Sequence, residues 1–162
     1  MNSKCDDGDI VEQISIPIAE EDTGAKVLEK FNVIYPDLVW QVVEKLENGQ
    51  IEPKKQDSSL ATYFGKRTPE DGEINWNWQK ERIRNWVRAQ ANPYPGAFTF
   101  LNDNKIIINK IEYSDLGFTD TMENGKVVAV IDGTPYVKTQ NGVVKLVDFE
   151  TDTIIKQEDI LS

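Results

Sequence analysis

Between residues 97 and 149 the chain divides into five short apolar runs: 97–101, "KIIINKIEY" at 105–113, "KVVAVID" at 126–132, "PYVKT" at 135–139 and "VVKLVDF" at 143–149. Rich in β-branched residues and bounded by turn formers, such runs are strands rather than helices. Asp132-Gly133 and Asn141-Gly142 stand between the last three. Both dipeptides favour type I′ turns, which need positive φ at the two central positions. Short strands joined by tight turns predict a small, mostly antiparallel barrel of the OB-like kind over 97–150.

The barrel is entered through a corner, "ANPYPGAFTF" at 91–100. Pro93 pushes Asn92 out of helical geometry and ends whatever helix precedes it. Pro95-Gly96 suits the central positions of a type II turn. Phe98 and Phe100 then fall on one side of the first strand. Before the corner a helix is predicted from Asn77 as N-cap, with Ile83, Trp86 and Val87 on one face and Arg82, Arg84 and Arg88 mostly on others.

Nearer the N-terminus, "IVEQISIPI" at 10–18 alternates apolar and polar residues and predicts a strand ending at Pro17. Asp22 or Thr23 would cap a short helix running to about Phe31. Pro36 would open a second helix, with Leu38, Val42 and Leu46 four residues apart and Asn48-Gly49 as its stop. A strand followed by helices reads as the end of an α/β unit. Residues 50–75, "QIEPKKQDSSLATYFGKRTPEDGEIN", show no sustained period and read as a long linker. The fold class expected is α+β, with residues 1–49, 50–75 and 76–162 as its three parts.

Charge restricts the partners. The sequence carries 18 basic and 28 acidic residues, a net charge of −10. Residues 1–60 hold 6 basic and 13 acidic side chains (−7), 61–100 hold 6 and 4 (+2), and 101–162 hold 6 and 11 (−5). A protein that grips a polynucleotide backbone needs a basic face to displace counterions. Here the C-terminal third would repel phosphate, so tRNA is disfavoured. A single cysteine, Cys5, excludes an intrachain disulfide, and with no signal peptide and no apolar span for a membrane the expected location is cytoplasmic. The sequence has no histidine.

"SLATYFGKRTPEDGEINW", then a helix, then "ANPYPGAFTF", resembles the linker and C-terminal domain entry of the 10-formyltetrahydrofolate-dependent formyltransferases. That family includes methionyl-tRNA formyltransferase and the enzymes that N-formylate nucleotide-linked amino sugars. "CDDGDIVEQISIPI" is similar to the D-x-G-D segment that closes the family's catalytic domain. The resemblance covers nearly the whole chain, as a C-terminal portion of the family pattern. It implies 10-formyltetrahydrofolate as cofactor, with Asp6, Asp7 and Gly8 beside it and Asp6 as the catalytic carboxylate. The family's Asn and His precede the matching region, so the chain alone is expected to be inactive. "FGKRTPEDG" resembles the sugar-modifying branch, which implies Phe64, Lys66 and Arg67 as substrate-binding residues, the two cations meeting a diphosphate.

Each feature also has a plainer reading. "DDGD" suits a solvated turn, and a calcium loop is excluded by the missing twelve-residue pattern, so no metal is expected. Trp76, Trp78 and Trp86 beside the arginines could stack on a base, though pinning the helix to the barrel is the more economical role. Three functions follow: a nucleotide-sugar N-formyltransferase, methionyl-tRNA formyltransferase, or a non-catalytic remnant that dimerises through its β-rich region.

Overall fold

A computed structural model describes residues 6–162. Cys5 and the rest of 1–5 lie outside the described residues, so the start of the "CDDGD" reading is not addressed. The chain forms two compact units. One comprises Lys26–Lys66 with the described residues up to Glu21; the other comprises Asp22–Ala25 and Arg67–Ser162.

The first unit is built on one helix, α1 (Gly24–Glu47), not on the expected pair. Pro36 lies inside it rather than at the start of a second helix. Proline removes one backbone donor, and the Asn32 carbonyl it would have met is on an exposed turn where water can serve instead. The expected strand at 10–18 is also absent. Ile10 makes a single antiparallel bridge with Lys54 (N–O 2.9 and 2.8 Å in the two directions), and the chain beyond it is irregular. Alternation alone cannot make a strand without a neighbour to satisfy its backbone groups, and Ile14 and Ile18 stay exposed. Within this unit Lys45 pairs with Glu12, holding the Glu12 carboxyl below its usual range.

The second unit holds α2 (Lys80–Gln90) and a five-stranded antiparallel sheet: β1 (Ala97–Leu101), β2 (Asn104–Ser114), β3 (Val127–Ile131), β4 (Thr134–Thr139) and β5 (Gly142–Glu150). All five predicted strands are present within two residues of their expected ends. The order is β1-β2-β5-β4-β3, so β1 and β3 are the edges. The C-terminal segment spans both edges. Phe100 and Ser162 exchange backbone hydrogen bonds (2.8 and 3.0 Å), while Leu161 N donates to Gly125 O (2.9 Å) and Val127 N to Asp159 O (2.8 Å).

The β3–β4 turn is the type I′ hairpin expected, with φ of 50° at Asp132 and 78° at Gly133. The β4–β5 turn differs in register: Thr139 pairs with Gly142, so Gln140 and Asn141 are its central residues. Asn141 has another task. Its Oδ1 accepts from Lys80 N (2.8 Å) and its Nδ2 donates to Glu81 Oε2 (3.0 Å), so the hairpin closes the first turn of α2. That explains why α2 starts later than expected: Asn77 Oδ1 is taken by Asn124 Nδ2 (2.9 Å) rather than by the helix.

Register shifts around Lys110 in the β2–β5 ladder move the buried positions of β2 from Ile106 and Ile108 to Ile111. Those residues meet Ile83 and Val87 of α2, with Val127, Val137, Val144 and Leu146 from the other strands, in one core. The end of the supposed linker joins this core. Pro69–Gly72 is a 3-10 turn after Thr68, whose backbone N donates to the Asp71 carboxylate (2.7 Å). Ile74 N donates to Phe98 O (2.8 Å), and the Ile74 and Trp76 side chains are buried.

Candidate functional site

Gly8 and the three acids of the D-x-G-D segment form a short turn of the first unit. Asp6 has φ of 58° and its side chain is exposed, as are Asp7 and Asp9. The residue that meets this turn is Gln56, whose Nε2 donates to the backbone oxygens of Asp6 (3.0 Å) and Gly8 (2.6 Å). Together with the Ile10–Lys54 bridge this lays residues 6–10 antiparallel to 54–56. The effect is to fix the backbone of the turn while the three acids stay exposed. Nothing in a single sequence marks Gln56, which stands in a polar stretch without period.

The residues expected to bind substrate are divided. Phe64 and Lys66 belong to the first unit and are exposed, Phe64 at 90%. Arg67 belongs to the second, where its guanidinium carbon lies 4.6 Å from the centre of the Trp86 ring. Arg82 sits 4.1 Å above Trp78, and the two indoles meet edge to face at 5.1 Å. Arg67, Trp86, Trp78 and Arg82 therefore form one row beside α2, two adjoining indoles with a cation at each end. Each exposed cation–ring contact contributes about 0.5–1 kcal/mol.

Of the three tryptophans, Trp76 is a core residue: its Nε1 donates to Thr99 Oγ1 (2.9 Å) in a fully buried pair. Trp78 and Trp86 pack partly on the same core, and Trp86 Nε1 donates to Gly72 O (3.2 Å). The economical reading, that aromatics pin the helix, holds for all three. Arg88 Nη1 donates to Asp22 O (2.9 Å).

Beside this row lies a cavity of about 390 Å³, lined by Arg67, Thr68, Pro69, Trp86, Ala89, Gln90, Tyr94 and Pro95. Its walls are largely apolar, with Trp86 and Tyr94 as the aromatic surfaces and Arg67 as the one charged side chain. Gln90 Nε2 is buried and has no hydrogen-bond partner among the described residues. Sequence reading missed Gln90 and Tyr94 as site residues. Their only signals are the end of a helical period and a tyrosine between two prolines, and neither specifies a cavity.

A second cavity of about 470 Å³ runs along Asn75, Asn77, Glu123, Asn124 and the C-terminal segment. Behind it Lys138 is buried, its Nζ bonded to Asn124 Oδ1 (3.1 Å) and to Thr139 O, with burial pushing its ammonium pKa down. Its donors are directed at protein acceptors, which is the arrangement of a structural lysine. Among the described residues no group of three acidic, cysteine or histidine side chains could hold a metal ion. No described helix is long and apolar enough to cross a membrane.

Comparison with known proteins follows the second unit closely. Residues 66–162 match the family described as "Formyl transferase, C-terminal domain". Among solved structures, the chain is similar to HypX from Aquifex aeolicus in complex with tetrahydrofolic acid, at 17% identity and a TM-score of 0.63, over 94% of this chain and 26% of that one. It is similar to methionyl-tRNA formyltransferase from Clostridium thermocellum at 21% identity and a TM-score of 0.57, over 96% and 53%. An N-formyltransferase from Helicobacter canadensis, in complex with folinic acid and dTDP-3-aminofucose, matches at 18% identity and a TM-score of 0.62, over 93% and 53%. The chain thus spans about half, or less, of the length of each.

Proposed function

Since the chain belongs to the formyltransferase C-terminal domain family, we propose that it serves the transfer of a formyl group from 10-formyltetrahydrofolate to the amino group of a nucleotide-linked sugar. The observation that carries the choice of acceptor is charge. A net −5 over residues 101–162 opposes a polyanion the size of tRNA, whereas a small substrate needs only local cations such as Arg67. One of the similar structures holds a nucleotide-linked amino sugar, which agrees with this reading.

The folate cofactor would supply an activated formyl group. Formyl transfer then requires an amine that loses a proton and donors that stabilise the oxyanion. Asp6 is a carboxylate on a backbone fixed by Gln56. It can orient a partner or accept the amine's proton, but it offers no donor to an oxyanion. The turn of Asp6, Asp7 and Gly8 therefore suits one edge of a folate pocket rather than the whole. With no histidine in the sequence, the family's Asn and His must come from elsewhere, and this chain alone is inactive. α1 supports a role within a larger body: none of its residues is buried, and Leu28, Phe31, Tyr35, Val39 and Val43 form an exposed apolar stripe.

The test combines the chain with a separately purified formyl-binding half carrying Asn and His from a related N-formyltransferase. Transfer to a dTDP- or UDP-linked amino sugar, with none to methionyl-tRNA, is expected. Formylation of methionyl-tRNA in preference to the sugar would overturn the reading.

A further inference from the structure

Residues 6–12 are attached at successive levels to the end of α1 and the stretch that follows it. Lys45 pairs with Glu12. Ile10 and Lys54 exchange backbone hydrogen bonds of 2.9 and 2.8 Å in an antiparallel bridge. Two residues further on, an antiparallel ladder would set Gly8 opposite Gln56 and join them backbone to backbone. Instead the Gln56 side chain makes the contact, its Nε2 donating to Gly8 O (2.6 Å) and to Asp6 O (3.0 Å). The reason lies at Asp6, whose φ of 58° turns the chain out of extended geometry. That curl brings the carbonyls of Asp6 and Gly8 to one point, and a primary amide has two hydrogens to offer them. Glutamate has the same reach and, when ionised, offers none.

The direction of a side chain leaving Cα follows from the backbone, so the left-handed φ of Asp6 decides where its carboxylate stands. Left-handed geometry is uncommon for a residue other than glycine and persists where its surroundings hold it. We infer that Gln56 is a positioning residue for formyl transfer: by clamping the carbonyls of Asp6 and Gly8 it sets the place of the Asp6 carboxylate. This rests on the formyl-transfer reading above, with Asp6 as its carboxylate, and adds to it a residue outside the D-x-G-D segment. Gln56 acts through Asp6 and through the backbone alone. A reacting group displaced by about 1 Å loses roughly a hundredfold in rate, which is the scale on which such a clamp matters.

Two substitutions separate the donors from the shape. Gln56→Met keeps the length without a donor, and Gln56→Glu keeps the outline but turns a carboxylate on two carbonyl oxygens. The first arm is NMR on the 162-residue chain. The Gln56 side-chain amide hydrogens should exchange with water more slowly than those of the exposed Gln50. Both substitutions should move the Asp6 Cα, Cβ and carboxyl signals while the backbone signals of Ile10 and Lys54 stay in place. Unmoved Asp6 signals overturn the inference whatever the enzyme does. The second arm is turnover in the combined enzyme. Each substitution should lower kcat about ten- to a hundredfold, with KM for the amino sugar and for 10-formyltetrahydrofolate changed less than about threefold. In an Asp6→Asn background the same substitution should cost less than about threefold, because the carboxylate it positions is gone. An undiminished loss in that background, or a loss confined to KM, overturns the positioning role. Slow turnover by Asp6→Asn with normal turnover by Gln56→Met would sink the role of Gln56 alone. Near-normal turnover by Asp6→Asn would sink the reading of Asp6 and, with it, the catalytic effect assigned to Gln56.

Discussion

Gly125→Ala tests how far the C-terminal segment holds the sheet together. Gly125 has φ of +87°, and a Cβ there would lie 2.2 Å from Leu161 O and 3.3 Å from Leu161 C. Those neighbours are backbone, which cannot rotate aside. The left-handed conformation costs an alanine about 1–2 kcal/mol. Relieving the contact breaks the Leu161 N to Gly125 O bond, about 1 kcal/mol more. It also unseats Leu161, only 2% exposed, which adds about 1.5–3 kcal/mol. The sum, about 3.5–6 kcal/mol, is a large part of the roughly 5–15 kcal/mol that holds a domain folded. Gly133→Ala is the control: φ there is +78° and a Cβ meets nothing within 4 Å, so only the conformational cost of about 1–2 kcal/mol applies. In urea unfolding the Gly125 variant should lose about 2 M or more in midpoint and the Gly133 variant less than about 1 M, for a slope near 2 kcal/mol/M. Equal losses for the two would refute the claim that residues 158–162 bridge the sheet edges as a structural element.

Three further outcomes are expected. Trp76→Phe leaves Thr99 Oγ1 without its indole donor and opens space in the core, so it should cost about 2–4 kcal/mol in the same unfolding assay, against less than about 1.5 kcal/mol for the half-buried Trp78→Phe. Glu112 is held below its ordinary value of 4.5 by hydrogen bonds from Lys145 and Lys110, so it stabilises the fold above pH 4.5 and loses that contribution as pH falls through its lowered value; thermal melts between pH 5 and 3 should therefore fall less steeply for Glu112→Gln. In the combined enzyme Asp6→Asn should lower kcat by roughly two to four orders of magnitude and Asp7→Asn far less, with near-normal turnover of the Asp6 variant disproving its catalytic assignment.

The sheet was legible because its signals are local. β-branched alternation and an Asp-Gly turn need only a few neighbouring residues, and Phe98 and Phe100 do share a side, their rings 5.5 Å apart. What failed was whatever depends on a partner distant in sequence. Residues 10–18 carry a strand's alternation, yet among the described residues only Ile10 pairs backbone to backbone with a distant segment. Asn77 looked like an N-cap, but Asn141, 61 residues from Lys80, supplies the acceptor at the start of α2. Pro36 looked like a helix start because its missing donor is cheapest there, although one lost bond on an exposed turn does not outweigh a 24-residue helix. Among the candidate residues, Asp6 and Arg67 were singled out through family motifs. Gln56, Gln90 and Tyr94 were not, since their roles exist only once the turn and the cavity have formed.

The most direct measurement is release of tetrahydrofolate from 10-formyltetrahydrofolate, with a dTDP- or UDP-linked amino sugar as acceptor, comparing the purified 162-residue chain with the same chain plus the Asn- and His-bearing half. The account predicts no release above the uncatalysed rate from the chain alone and acceptor-dependent turnover once the second half is added, because Asp6 supplies a carboxylate and no oxyanion donor. Turnover by the chain alone would contradict it.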